Sequence, residues 1–496
     1  MFSFKESLRF NSASAFLTLL FTMSFSLISK IVISRLLQPN EFGLFIQIQT
    51  VFTMLVFFLS LSLPESVVIL TSRKNASAIN IVRTSLKLSF FFTLFALAIT
   101  IFLFIFNLRF SFLGDFTIEF LALIFLFAFL KVITDNFGAV TQGHQMLYKK
   151  NAINEIYPNS IYLAVLLIFF GLHYYLNIEI DYKFVIFSYL ILYSIPFIFY
   201  AAPINIKSLL FSKSSKENNI KEMWSFAWPL QLSGILAWPL GMMPLFIGNL
   251  AGNEVVAVYS LSISLASLIY ISTSAIDAAG FSSWANQIER KEMSTIRESF
   301  RRYVYFSALV SSPILCILII NPSEIVNILF GERYLEIARV LPFFSATLFL
   351  NLIGGPMEGL LKAGGYSRVL LIARTGSGAS AAVLFYPLIK SFGLFGAFLV
   401  FFCSTILGKS IYIIFGYKKF GVNPISKSLV SFLGLIFLSL GLVLYLKDLF
   451  TPMHDVLVIF CSLISFVIFI WIISFATNIR PINDLNRLLR NLLIKD

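Results

Sequence analysis

Two cations interrupt an apolar stretch that runs from Ala13 to Leu37: Lys30 and Arg35, in "KIVISRLLQPNEFGLF". An ionisable group inside such a stretch costs roughly 2.5–3.5 kcal/mol to insert into a bilayer, so it faces a cavity, water or a partner. Lys30 lies about 10 Å of helix rise from Leu37. At that depth an ammonium suits an anion in a water-filled vestibule, although long Lys and Arg stems also let their charges snorkel to the outer headgroups. Lys131 and Asp135, four residues apart, share one helix face and are cheaper to bury as a neutral pair than singly. A structural ion pair and a charged cavity wall both fit that spacing. Glu65 and Asp277 follow Glu41 and Glu254 by 24 and 23 residues, which puts corresponding acids in both halves. They are placed for a gate or an ion site, or for exposure at the inner headgroups. Glu358, one turn before Lys362, reads as a local pair.

A different signal lies in "WSFAWPLQLSGILAWPLGMMPLFIG", which contains Pro229, Pro239 and Pro244 besides Gly234 and Gly241. Each proline deletes a backbone donor and bends or breaks a helix. Within a membrane such breaks are tolerated where the helix lines a cavity or moves. This segment is the candidate bending helix, with a static kink as the plainer alternative. It carries no Lys or Arg.

No catalytic set accompanies these residues. His144, His173 and His454 are isolated, and there is no zinc pattern, phosphate loop or nucleophile elbow. "RTGSGASAA" (374–382) has glycines without phosphate-loop spacing and reads as a stripe of small residues for close helix packing. Neither a cofactor nor a metal is expected. Cys316, Cys403 and Cys461 lie inside apolar runs, which indicates no disulfide framework.

The elements that must position these residues follow from composition. Of 496 residues 58% are hydrophobic and 12% charged, and the mean hydropathy is +0.89. Apolar runs of 18 or more residues recur along the chain, each long enough to span a bilayer and none alternating as barrel strands do. The fold class is therefore an all-α polytopic membrane protein. About 14 spans are expected, near 13–37, 42–70, 88–107, 119–141, 151–173, 184–206, 223–248, 256–281, 303–322, 341–361, 369–389, 393–415, 428–446 and 456–477. The start, "MFSFKESLRFNSASAFLTLLF", has the charges of a signal peptide, but its apolar run continues to Leu37 and reads as an uncleaved first helix.

Net charge is +13, but the basic residues cluster in short loops, which excludes nucleic acid as the partner. With the N-terminus inside, 28 of the 37 Lys and Arg fall in inner flanks when Arg374 and Lys409, within the eleventh and twelfth spans, are counted with them, six fall in outer loops, and Lys30, Arg35 and Lys131 lie within spans. Both termini are expected to be cytoplasmic. The tail "NDLNRLLRNLLIKD" puts Leu485, Leu488, Leu489 and Leu492 on one helical face, suited to lying on membrane lipids.

The polar linker "IKSLLFSKSSKENNIKE" divides six spans from eight, and a repeat crosses it. "LLQPNEFGLF" matches "NLAGNEVVAV" with Asn40-Glu41 over Asn253-Glu254 at an offset of 213, and Gly143 matches Gly364 at an offset of 221. Parallel repeats about the membrane normal would enclose a central cavity. The segments "SRLLQPNEFGLF", "TQGHQMLYKKNAINE" and "LLKAGGYSRVLLIART" resemble the polysaccharide transporters, which include the Wzx-type O-antigen flippases, within the multidrug/oligosaccharidyl-lipid/polysaccharide exporter superfamily.

That resemblance implies a six-helix lobe at 1–206, a linker at 207–222, a second six-helix lobe at 223–415, two additional helices at 416–477 and an amphipathic tail at 478–496. It implies a non-enzyme of the bacterial inner membrane. The cargo would be an undecaprenyl-pyrophosphate-linked oligosaccharide, an O-antigen or capsule unit, turned from the cytoplasmic to the outer face by alternating access. In this reading Lys30, Arg35 and Lys131 bind the substrate in the cavity, and Glu65, Asp135 and Asp277 gate it or couple it to H+ or Na+. Further partners would be glycosyltransferases and a polysaccharide polymerase. The rivals are a lipid II flippase and a drug/cation antiporter of the same fold, the latter needing an acid-dominated cavity. A membrane-embedded polymerase or ligase is the rival of another class; it needs a sizeable outer loop, and the longest here, Asn321 to Val340, has about 20 residues.

Overall fold

A computed structural model describes residues 4–71, 78–105, 118–143, 146–201, 219–270, 284, 287–354, 356–424, 427–450 and 454–476. Among the described residues there is no strand, and twelve stretches are long and apolar enough to cross a membrane. One of these, Arg368–Phe420, holds both spans expected at 369–389 and 393–415, joined at Gly393, whose φ of 53° and ψ of −123° are not helical. The hairpin is tight: a Cβ on Gly396 would run into the carbonyl of Leu388. Twelve such stretches stand against the fourteen spans expected; the helix Phe4–Leu36 covers the first expected span without being among the twelve. Asp277, the linker as far as residue 218 and the tail from residue 477 lie outside the described residues.

The chain groups into two compact units, Met1–Ala257 and Val258–Asp496. In the first, α1 (Phe4–Leu36) packs along α6 (Leu147–Asn151) and α7 (Tyr157–Leu176), which are joined by a π-helical turn at Ala152–Ile156. The second expected span is split into α2 (Pro39–Ser60) and α3 (Leu63–Thr71). Next come α4 (Ala78–Ile105), α5 (Ile118–Gly143), α8 (Tyr182–Ser194) and α9 (Pro196–Ala201). Two more helices pack in this unit, α10 (Asn219–Gly241) and α11 (Met243–Ala251), and α12 (Asn253–Ala266) begins in it. Leu63, Val67, Phe137, Tyr200, Met223 and Ala227 form a core where α3, α5, α9 and α10 meet. On α4, Phe91, Phe95 and Phe102 are all more than half exposed along one face, as lipid contact requires.

The second unit contains α13 (Met293–Ile320), α14 (Pro322–Phe330), α15 (Ile337–Gly354), α16 (Pro356–Ala363), the two-armed α17 (Ser367–Phe420), α18 (Lys427–Leu446) and α19 (Asp455–Ala476). Phe300, Met357, Leu360, Tyr412 and Leu429 join α13, α16, α17 and α18 in one buried cluster.

Candidate functional site

A cavity of about 430 Å³ opens inside the first unit, lined by Glu65 of α3, Asp135 of α5, Lys150 of α6, and Asn154 and Glu155 of the π turn. Two of its walls are helix interruptions. α2 ends where Leu61 and Ser62 take φ of 52° and 50°, a left-handed conformation costing of order 1–3 kcal/mol for non-glycine residues. Side-chain hydrogen bonds from α3 and α10 hold the break: Ser62 Oγ donates to Gln231 Oε1 at 2.9 Å, and Ser66 Oγ to the carbonyl of Met223 at 3.0 Å. α3 then restarts with Pro64 and Glu65 in its first turn, where a proline sacrifices no helical hydrogen bond and a carboxylate meets the positive end of the helix.

The second interruption is the π turn. Pro158 has no N–H to offer the carbonyl of Asn154, and the ladder widens so that Tyr157 N–H bonds the carbonyl of Ala152. Asn154 is buried there and sits between two partners. Its Nδ2 donates to Asp135 Oδ1 at 3.4 Å, and its Oδ1 accepts from the Tyr200 hydroxyl at 2.9 Å. Gly138 makes room, since a Cβ at that position would lie 2.6 Å from Asn154 Nδ2.

Lys131 Nζ donates to Asp135 Oδ1 at 2.9 Å, with side chains 15% and 28% exposed. The i,i+4 spacing in the sequence is thus realised as an ion pair, and it is Asp135 that reaches the cavity wall. Lys131 also acts electrostatically on Glu155. Lys150 Nζ donates to Gln142 Oε1 at 2.7 Å. The cavity's charged lining is three carboxylates and one ammonium; with Lys131 neutralising Asp135, the surplus is one negative charge, enough for one proton or monovalent cation. No group of three or more His, Cys, Asp or Glu among the described residues is placed to hold a metal ion.

The structure brings Glu65, Asp135 and Lys131 together, and the other described candidates do not line this cavity. Lys30 is half-buried on α1 and Arg35 exposed in its last turn; neither lines this cavity. Pro229 and Pro239 lie inside α10. Pro244 is in the first turn of α11, after a break at Met242, so the proline-rich span is two helices. Asn154, Glu155 and Lys150 were missed by sequence reasoning; the signal available for the first two was Pro158, four residues after Asn154.

The second unit holds its own charged group. Glu358 of α16 bonds Lys362 at 2.9 Å, the local pair its spacing indicated, and also Arg374 of α17 at 3.4 Å. The small-residue stripe packs as expected: a Cβ on Gly376 would lie 3.1 Å from Ile411 Cδ1, and Gly408 rests on Ser377.

Helices interrupted beside a charged cavity, in a chain of apolar spans, define an all-helical, multi-pass membrane protein. The chain belongs to the family described as polysaccharide biosynthesis protein, which matches residues 32–339, more than half of its length. Its fold is similar to that of the lipid II flippase MurJ in an inward closed conformation, with a TM-score of 0.69 and 15% identity over 93% of this chain and 98% of that one. It is also similar to a multidrug resistance MATE family transporter of the MOP superfamily in an inward-facing conformation (TM-score 0.63, 14% identity, 81% of this chain and 94% of that one). A MOP superfamily transporter from Pyrococcus furiosus matches with a TM-score of 0.56 and 15% identity, over 84% of this chain and 96% of that one. No curated protein matches the chain by sequence. The chain is thus a member of a polysaccharide biosynthesis family, and its fold is one shared with proteins described as transporters or flippases.

Proposed function

We propose that this chain is a flippase that moves undecaprenyl-pyrophosphate-linked oligosaccharide, an O-antigen or capsule unit, from the cytoplasmic to the outer face of the bacterial inner membrane. The observation that carries this reading is the family membership over residues 32–339 together with a lipid-flippase fold over 93% of the chain. Lys30 and Arg35 attract the phosphates of the headgroup, while the polyprenyl tail stays in lipid. Lys131 orients Asp135, and Asp135 with Glu65 and Glu155 takes the coupling H+ or Na+. The chain carries out no bond chemistry itself; glycosyltransferases make its cargo and a polymerase consumes it.

Deleting the gene tests this. The expected result is lipid-linked repeat units that accumulate unpolymerised and stay shielded from a glycosidase added outside spheroplasts. Repeat units that remain open to the glycosidase at wild-type levels would overturn the reading.

One observation favours a second reading, a drug/cation antiporter: three carboxylates against one lysine line the cavity of the first unit. An antiporter would confer resistance to cationic drugs on a sensitive strain, and the flippase would not.

A further inference from the structure

In the second unit two cations pair with one carboxylate and a third acts on it. Glu358 Oε1 receives Lys362 Nζ and Arg374 Nη2. Lys409, from the other arm of α17, acts on the same carboxylate and lies 5.9 Å from the centre of the Tyr412 ring. The arms approach closely enough for this because Gly376 and Gly408 present no side chain to Ile411 and Ser377. The surplus is two positive charges. Arg374 and Lys409 both lie inside α17, one on each arm. Arg374 is about 10 Å of helix rise from Ser367, and Lys409 about 16 Å from Phe420. Positive charge at that depth is expensive unless water or an anion meets it. The group is also open to a ligand, with the Lys362 and Arg374 side chains 45% and 42% exposed.

We propose that Lys362, Arg374 and Lys409 form an anion subsite of the second unit that takes a phosphate or pyrophosphate group. A surplus of two positive charges matches a pyrophosphate diester, which carries two negative ones. Arg374 supplies a planar fork for two phosphate oxygens, and the lysines act as mobile point charges. Glu358 is a positioning residue that holds Lys362 and Arg374 until the anion arrives. That the anion belongs to a polyprenyl-linked sugar rests on the flippase reading; that the site binds phosphate does not.

The test uses purified full-length protein with inorganic pyrophosphate as the probe. An Arg374→Gln, Lys409→Gln double variant is expected to bind it at least about tenfold more weakly. Glu358→Gln should bind it more tightly, and Lys409→Arg should keep wild-type binding. Unchanged affinity in a double variant whose melting temperature matches wild type overturns the subsite. A competition arm separates the sources of phosphate. Displacement of the probe by undecaprenyl pyrophosphate, and not by phosphatidylglycerol vesicles, assigns the site to the transported lipid; displacement by phosphatidylglycerol alone overturns that assignment. If the double variant loses the probe yet still exports normal surface polysaccharide, the transport role fails while the anion site stands.

Discussion

Asn253 Nδ2 donates a 2.9 Å hydrogen bond to Asn40 Oδ1, and these are the two asparagines that match across the 213-residue offset in the sequence. Two turns matched in the sequence thus meet in the structure. Asn253 also accepts, at 2.6 Å, from Nε2 of Gln47, which is buried on α2. Two glycines admit the contact, Gly43 against the main chain of Asn253 and Gly248 against the Gln47 amide.

This arrangement predicts unequal losses. Asn253→Ala strands the buried Gln47 amide and should cost about 1–3 kcal/mol, whereas Asn40→Ala, at an exposed partner, should cost a few tenths. Thermal unfolding in detergent measures both. Adding Gln47→Leu to Asn253→Ala should recover most of the loss, and equal losses for the two asparagines would contradict the assignment.

The Lys131–Asp135 pair predicts a separation of stability from transport. Removing one partner of a mostly buried pair leaves a charge uncompensated, so Lys131→Ala should lower the melting temperature by an amount equivalent to about 3 kcal/mol. Asp135→Asn keeps the hydrogen bond to Lys131 and should cost less. It should nevertheless abolish transport if Asp135 carries the coupling ion. Wild-type transport by a well-folded Asp135→Asn would end that role.

Much of this architecture was legible in the residues. Apolar run length located the helices, and three prolines announced the broken span at Met242. Gly143 and Gly364, matched across the repeat, both turn out to be close approaches, the first against Thr71 and the second against Phe420. The break at Leu61 and Ser62 was not legible, because no glycine marks it and side chains distant in sequence, Gln231 among them, hold it in place. Glu155 escaped for a related reason: a π turn shifts the side-chain register by one residue, and helical periodicity assumes that no such shift occurs. The charged group on α17 escaped because the hairpin carries Lys409 back beside a carboxylate 51 residues earlier in the chain.

Orientation is tested independently of chemistry. The excess of Lys and Arg in alternate loops predicts that an alkaline phosphatase fused after Asp496 is inactive, and one inserted at Asp181, in the turn before α8, is active. The opposite pair of results would invert the topology.

The most direct measurement of the central claim is complementation of a flippase-deficient strain at matched protein levels. The account predicts that Lys30→Arg restores surface polysaccharide and that the Lys30→Ala, Arg35→Ala double variant restores less than about a tenth of it, since a phosphate in a low-dielectric vestibule depends on those charges. Normal surface polysaccharide from the double variant would contradict the account, leaving Lys30 and Arg35 as side chains that merely reach for the headgroups.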